Sequence, residues 1–198
     1  MTETLETIEG AHAAPRPPKI LDIGCGRNKT PGAVGIDSNP RSAADVIHDL
    51  DSVPYPFPDN EFDIIVGNQI IEHVGDVLAV VAELHRIARP GAIIRLDTPH
   101  YSDVASYTDP THRRHLTTES FSYFTGKRTD YDYYSEVRLR PRVVRVTMLR
   151  LWRALGFEFL VNLGNRYPRA RFLRKFWESY LCFVVRGKTI YFEFEVIK

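Results

Sequence analysis

Two groups of residues in this sequence are of types that do chemistry: acids set among glycines near the start, and histidines set among aspartates near the middle. The first group lies in "ILDIGCGRNKTPGAVGIDSNP", residues 20–40, where Gly24, Gly26, Gly32 and Gly35 fall between Asp22 and Asp37. A Gly-x-Gly turn at a strand end lets a ligand approach backbone amides with no Cβ in the way. An acid closing the next strand can accept hydrogen bonds from both hydroxyls of a ribose. The pair suits a nucleoside, although turn glycines and a strand-end aspartate without a ligand would look the same. A dinucleotide is disfavoured. Asp37 follows the glycines by 11 to 13 residues, not the roughly 20 of that motif. Lys29 stands where a third glycine would be, and no long helix fits whose N-terminus could hold pyrophosphate.

The second group comprises Glu72 and His73 in "IIEH", then His100, Asp103, Asp109, His112 and His115 within "PHYSDVASYTDPTHRRH". An ordinary histidine is mostly neutral at pH 7 and can take a proton from a hydroxyl. His112 is the first candidate for that base, with Asp109 or His100 holding its ring, and His73 is the next. Histidines and aspartates could also hold a divalent metal, but the spacing matches no compact pattern such as H-E-x-x-H, and no metal is assigned. Tyr101, Tyr107, Tyr123, Tyr131, Tyr133 and Tyr134 offer flat amphipathic faces of the kind that pack on sugar rings.

These residues need a frame that brings distant segments to one edge. Short Val/Ile/Leu runs at Ile20–Ile23, Ala33–Ile36, Asp45–His48, Phe62–Gly67 and Ala92–Asp97 read as strands buried on both faces, hence a parallel sheet. Between the last two, Val77, Leu78, Val81, Leu84 and Ile87 recur at helical spacing, with Asp76 as N-cap and Arg86, Arg89 and "PG" at the end. The link between the first two strands is so short that it holds at most a turn or two of helix. Residues 1–18 read as a flexible tail and 19–198 as one domain, with a decorated insertion at about 99–140 that is poor in aliphatics and outside the core. Val143–Leu155 has the spacing of a helix, and "KTIYFEFEVIK" is a closing strand.

Motif for motif, "LDIGCG" and "GIDSNP", followed by "HDLDSVPYPFPDNEFDIIVGNQIIEH" and "ELHRIARPGAIIRLDTPH", resemble the class I S-adenosylmethionine-dependent methyltransferases, in the manner of their type 11 domains, over residues 20–100. The resemblance implies an α/β, Rossmann-like fold: a mostly parallel seven-stranded sheet, helices on both faces and an antiparallel last strand. It implies S-adenosylmethionine as cofactor, with Asp22, Gly24, Cys25 and Gly26 facing the methionine part and Asp37 on the ribose hydroxyls. Asp49 would accept from the adenine amino group, Ser38 or Leu50 would pack on the ring, and Asn68 would lie beside the sulfonium. Strand-end carboxylates suit a ligand that carries an ammonium and a sulfonium. Asn28 departs from the family's third glycine. The "PH", "DPTH" and terminal "IYFEFEVIK" segments resemble methyltransferases encoded among glycan-assembly genes, which implies a saccharide or saccharide-bearing small molecule as acceptor.

Composition bounds the rest. The 198 residues, 43% hydrophobic, are enough for one sizeable core. No apolar run nears the roughly 18 to 20 residues of a membrane span, and the acidic start is unlike a secretory leader, so a cytoplasmic protein is expected. Cys25 and Cys182 are too few for a disulfide framework. Residues 1–100 carry 8 basic and 15 acidic side chains, and residues 101–198 carry 18 and 10. Arg138, Arg140, Arg142, Arg145, Arg150 and Arg153 could track an RNA backbone, yet Asp130, Asp132 and Glu136 interrupt them, and a pI near 7.8 argues against nucleic acid. A non-catalytic cofactor-binding or membrane-docking protein is the third reading. In "RARFLRKFWESYLCF", Phe172, Phe176, Tyr180 and Phe183 share a helical face flanked by Arg169, Arg171, Arg174 and Lys175. Core packing is the plainer reading of that face, and peripheral membrane contact the other. Oligomeric state is not legible.

Overall fold

The computed structural model describes residues 16–126 and 134–198. Seven strands form one sheet: β1 (Ile20–Ile23), β2 (Val34–Asp37), β3 (Val46–Ile47), β4 (Phe62–Asn68), β5 (Ala88–Pro99), β6 (Arg138–Met148) and β7 (Gly187–Ile197). Their order is β3-β2-β1-β4-β5-β7-β6. The first five pair in parallel, and β7 runs antiparallel between β5 and β6. This is the mostly parallel Rossmann-like sheet with an antiparallel last strand that the resemblance implies.

Helix α1 (Val77–Ile87) starts where its N-cap says it should: Asp76 accepts from the amides of Leu78 and Ala79. Its buried face, Val80, Val81, Leu84 and Ile87, joins Leu21, Ile23, Ile36, Ile65 and Ile94 of the strands in the main core. The chain then enters β5 without a loop, Ala88 pairing with Phe62.

Two expectations are corrected. Val143–Leu155 is not a helix: its first half belongs to β6, and only α3 (Arg150–Ala154) is helical. In β6, Leu139, Val146 and Met148 are buried while Arg140 and Arg142 point out to Glu195. Register irregularities at Pro141/Val143 and Val146/Met148 shift the phase of that alternation, which is why the run looks helical on paper. The insertion is not outside the core either. Phe121 and Phe124 are 2% and 1% exposed, and Phe121 packs edge-on to Phe192 of β7 at 4.8 Å; aromatic side chains fill there what aliphatic ones fill elsewhere.

The insertion also contains the short helix α2 (Ala105–Thr108). After α3 come α4 (Phe157–Asn162) and α5 (Arg171–Tyr180), which close the edge strand β6 around a second cluster of Val146, Met148, Val161, Trp177, Cys182 and Val185. Of the expected tail, residues 1–15 lie outside the described residues, and Arg16 is held by two hydrogen bonds to Asp63. No helix among the described residues is long and apolar enough to cross a membrane. Both cysteines are free and buried.

Candidate active site

The carboxyl ends of β1 to β4 surround a cavity of about 270 Å³ whose wall includes Gly24, Asp37, Ser38, Asp49, Leu50 and His73. Asp37 closes β2 with both oxygens committed to the chain on one side: Oδ2 accepts from Gly26 N–H at 2.9 Å and Oδ1 from Asn39 N–H at 2.8 Å. Each carboxylate oxygen has a second lone pair left for a ligand. Asp49 is oriented in the same way by the Asp51 amide, and Leu50 is anchored through its carbonyl by the Tyr55 hydroxyl.

The glycine turn divides its labour. Gly24 lines the cavity with φ +60°, and a Cβ there would run into the Ile70 side chain, so the turn needs glycine at this point of the wall. Gly26, with φ +51°, has open space where a Cβ would stand, and its amide is given to Asp37. Asp22 is 2% exposed and accepts from Thr30 N–H beneath the loop. It supports the turn from below and does not line the cavity. Cys25 is also buried, and burial raises its thiol pKa. Asn68 is exposed at the end of β4, outside the cavity wall.

A second, open concavity adjoins the first, bounded by Gln69, His73, Pro99, Thr108, Asp109 and His112. His73 belongs to both. Its ring stands edge-on to His112 with centroids 4.7 Å apart. His112 Nδ1 lies 3.0 Å from the Ser106 carbonyl, which can only accept, so Nδ1 carries the proton and Nε2 is a free lone pair in the neutral ring. That Nε2 lies 4.0 Å from Glu72 Oε1 and 4.0 Å from Asp109 Oδ2. The Thr111 hydroxyl donates to Asp109 and therefore accepts from His73 Nδ1, leaving His73 Nε2 free as well. Burial and the neighbouring His112 lower the His73 pKa, keeping it neutral at pH 7.

Glu72 is the unusual member of the group. It is 1% exposed, both its oxygens lack a hydrogen-bond partner, and burial raises its pKa. Its carbonyl accepts the amides of both Arg113 and Arg114, which ties the insertion to the end of β4. One ligand atom each from Glu72, His73 and His112 lie within 4.8 Å of one another.

His100 does not join this corner. It is fully buried, with Nδ1 on Ser102 and Nε2 on Glu178 and its ring against Trp177. It fastens the end of β5 to α5. Asp103 caps Ala105, and His115 stacks on Tyr107 at 4.1 Å. Of the tyrosines, Tyr107 is exposed on α2, Tyr101 is turned inward to Glu178 and Cys182, and Tyr131 and Tyr133 lie outside the described residues. Asp51 and Arg113, which pair at 3.1 Å across the cavity mouth, are missed by the motif reading. The doubled arginine after "DPTH" was the available signal.

The sequence matches the family described as "Methyltransferase domain" over residues 3–163. A probable S-adenosylmethionine-dependent methyltransferase of Mycolicibacterium smegmatis is 27% identical over 117 residues, 49% of this chain and 46% of that protein. An uncharacterized methyltransferase of Schizosaccharomyces pombe is 44% identical over 39 residues, 20% of this chain and 14% of that protein. The chain thus spans less than half the length of the curated relatives it matches. A SAM-dependent methyltransferase structure from Archaeoglobus fulgidus superposes with a TM-score of 0.59 at 16% identity, over 90% of this chain and 86% of that one.

Proposed function

The chain belongs to the methyltransferase domain family, with S-adenosylmethionine as cofactor, and from that premise we propose that it methylates a hydroxyl of a saccharide or saccharide-bearing small molecule. The observation that carries the reading is the shared wall: His73 borders both the cavity beneath Asp37 and Asp49 and the open concavity beside His112. In this reading Asp37 holds the ribose hydroxyls, and Asp49 with Ser38 and Leu50 takes the adenine. Held by these residues, the cofactor would supply an electrophilic methyl group, and the acceptor would lie in the concavity on the other side of His73.

The transfer would exchange the cofactor's carbon–sulfur bond for a carbon–oxygen bond and leave a neutral thioether, so the chain's own part is to align the acceptor and take its proton. The hydroxyl proton passes to His112 Nε2, whose lone pair is freed by the Ser106 contact. Alignment and exclusion of water supply most of the acceleration, and the base adds about 10² to 10⁴. An acceptor screen with cofactor labelled on the methyl group tests this. Label must appear on a saccharide oxygen; transfer to RNA in place of saccharides refutes the assignment.

A second reading of the corner is favoured by the unpartnered oxygens of Glu72. Glu72, His73 and His112 would hold a divalent cation that binds the acceptor hydroxyl and lowers its pKa. Loss of activity with chelator, restored by Mg²⁺ or Mn²⁺, selects this reading over the free base.

A further inference from the structure

α5 shows solvent the face that ordinarily packs inward. Phe172, Phe176 and Tyr180 are 65%, 52% and 75% exposed, and Phe183 and Val184 in the turn after it are 67% and 71% exposed. The opposite face is fixed: Trp177 donates from Nε1 to the Val185 carbonyl at 2.7 Å, and Arg174 donates to the Val144 carbonyl of β6. The aromatic face is therefore held outward by a buried one, and core packing, the plainer reading of the sequence, is not what it does. An outward apolar patch of this kind on a soluble fold marks a docking surface.

Charge says what docks there. Residues 149–188 contain nine basic and two acidic side chains. Both acids are turned inward: Glu158 accepts the Met148 amide, and Glu178 accepts from Thr118 and contacts His100. Arg166, Arg169, Arg171, Lys175 and Arg186 are exposed around the patch. A second copy packed face to face by a two-fold axis would set this cationic rim against itself with no outward acid within residues 149–188 to pair with; the exposed Glu119 acts on the buried Arg174 behind the rim. An anionic bilayer meets both parts, with aromatic side chains entering the headgroup boundary and cations on the phosphates. We propose that α5 and the turn that follows it dock the protein on the surface of an anionic membrane. The inference is independent of the acceptor.

Sedimentation of the full chain with vesicles tests it. Vesicles of equal parts phosphatidylglycerol and phosphatidylcholine should bind the protein at low salt, and pure phosphatidylcholine should bind it at least about tenfold more weakly. Phe172→Ser with Phe183→Ser should abolish sedimentation while circular dichroism and S-adenosylmethionine affinity stay unchanged. Arg171→Glu with Lys175→Glu should weaken it without touching the apolar face. The proposal is overturned if the wild type ignores anionic vesicles at low salt, or if binding survives both double variants. Light scattering showing a dimer that Phe172→Ser and Phe183→Ser dissolve would also overturn it.

Discussion

Asp37 ends β2 and Glu72 lies in the turn after β4, and their surroundings give the two carboxylates different characters. Asp37 is held by two amides with lone pairs to spare; on the proposed role, Asp37→Ala should weaken S-adenosylmethionine binding by about 2 to 3 kcal/mol, two charge-assisted hydrogen bonds, as read by calorimetry. Glu72 is buried, and burial outweighs the neighbours that favour its ionised form, Thr98 and His112 among them. Because its folded pKa is raised, the unfolded chain ionises first, so the stabilisation present at acid pH is lost as pH rises through the folded value. Glu72→Gln should thus melt higher relative to wild type at pH 8 than at pH 5, while turnover falls; equal melting at both pH values would show that the carboxyl is not the strained group. His112→Ala should lower kcat by about 10² to 10⁴ with cofactor affinity unchanged, checked by steady-state kinetics on the true acceptor. At this scale the sequence showed which strand-end residues would gather, since Asp37, Ser38, Asp49 and Leu50 do line one cavity. It could not show burial, which removes His100 from the corner and Asp22 from the wall, nor a pair such as Asp51 and Arg113, 62 residues apart.

Elements were legible where local signals agreed with long-range ones. α1 carries its cap, its period and its stop in the sequence, and the structure uses all three. Replacing Asp76 with Ala removes both cap bonds and should cost about 1 kcal/mol in denaturant melts, with no change in the sheet. β6 was illegible because two irregularities break its alternation and because its partner β7 lies about fifty residues later in the chain. The insertion's place in the core is hidden by its composition: it contributes Phe121 and Phe124, and a count of aliphatic residues passes over them. Its anchor, the two amides of Arg113 and Arg114 on the Glu72 carbonyl, is a backbone contact that no residue type announces.

The whole molecule is tied at its two ends by different means. Near the start, burial raises the Asp63 pKa, but the Arg16 guanidinium, the Lys19 amide and the Arg89 guanidinium pull it well below the usual carboxylate range. A depressed folded pKa contributes stability above the unfolded value near 3.9 and loses it as pH falls further. Asp63→Asn should therefore narrow its stability deficit against wild type below about pH 4, measured by thermal melts across pH. At the other end, β6 is the last strand of the sheet, and the outer backbone of its second half, Val144 to Met148, is occupied. Asn162 donates to the Val146 carbonyl and accepts its amide, Glu158 accepts the Met148 amide, and Arg174 takes the Val144 carbonyl. Side chains thus mimic the neighbour strand that is absent, and they stop before a real one can add. Along residues 144–148 this edge cannot serve as a template for another strand, next to the surface richest in exposed aromatics. Asn162→Ala should uncover that template and make the protein polymerise on concentration.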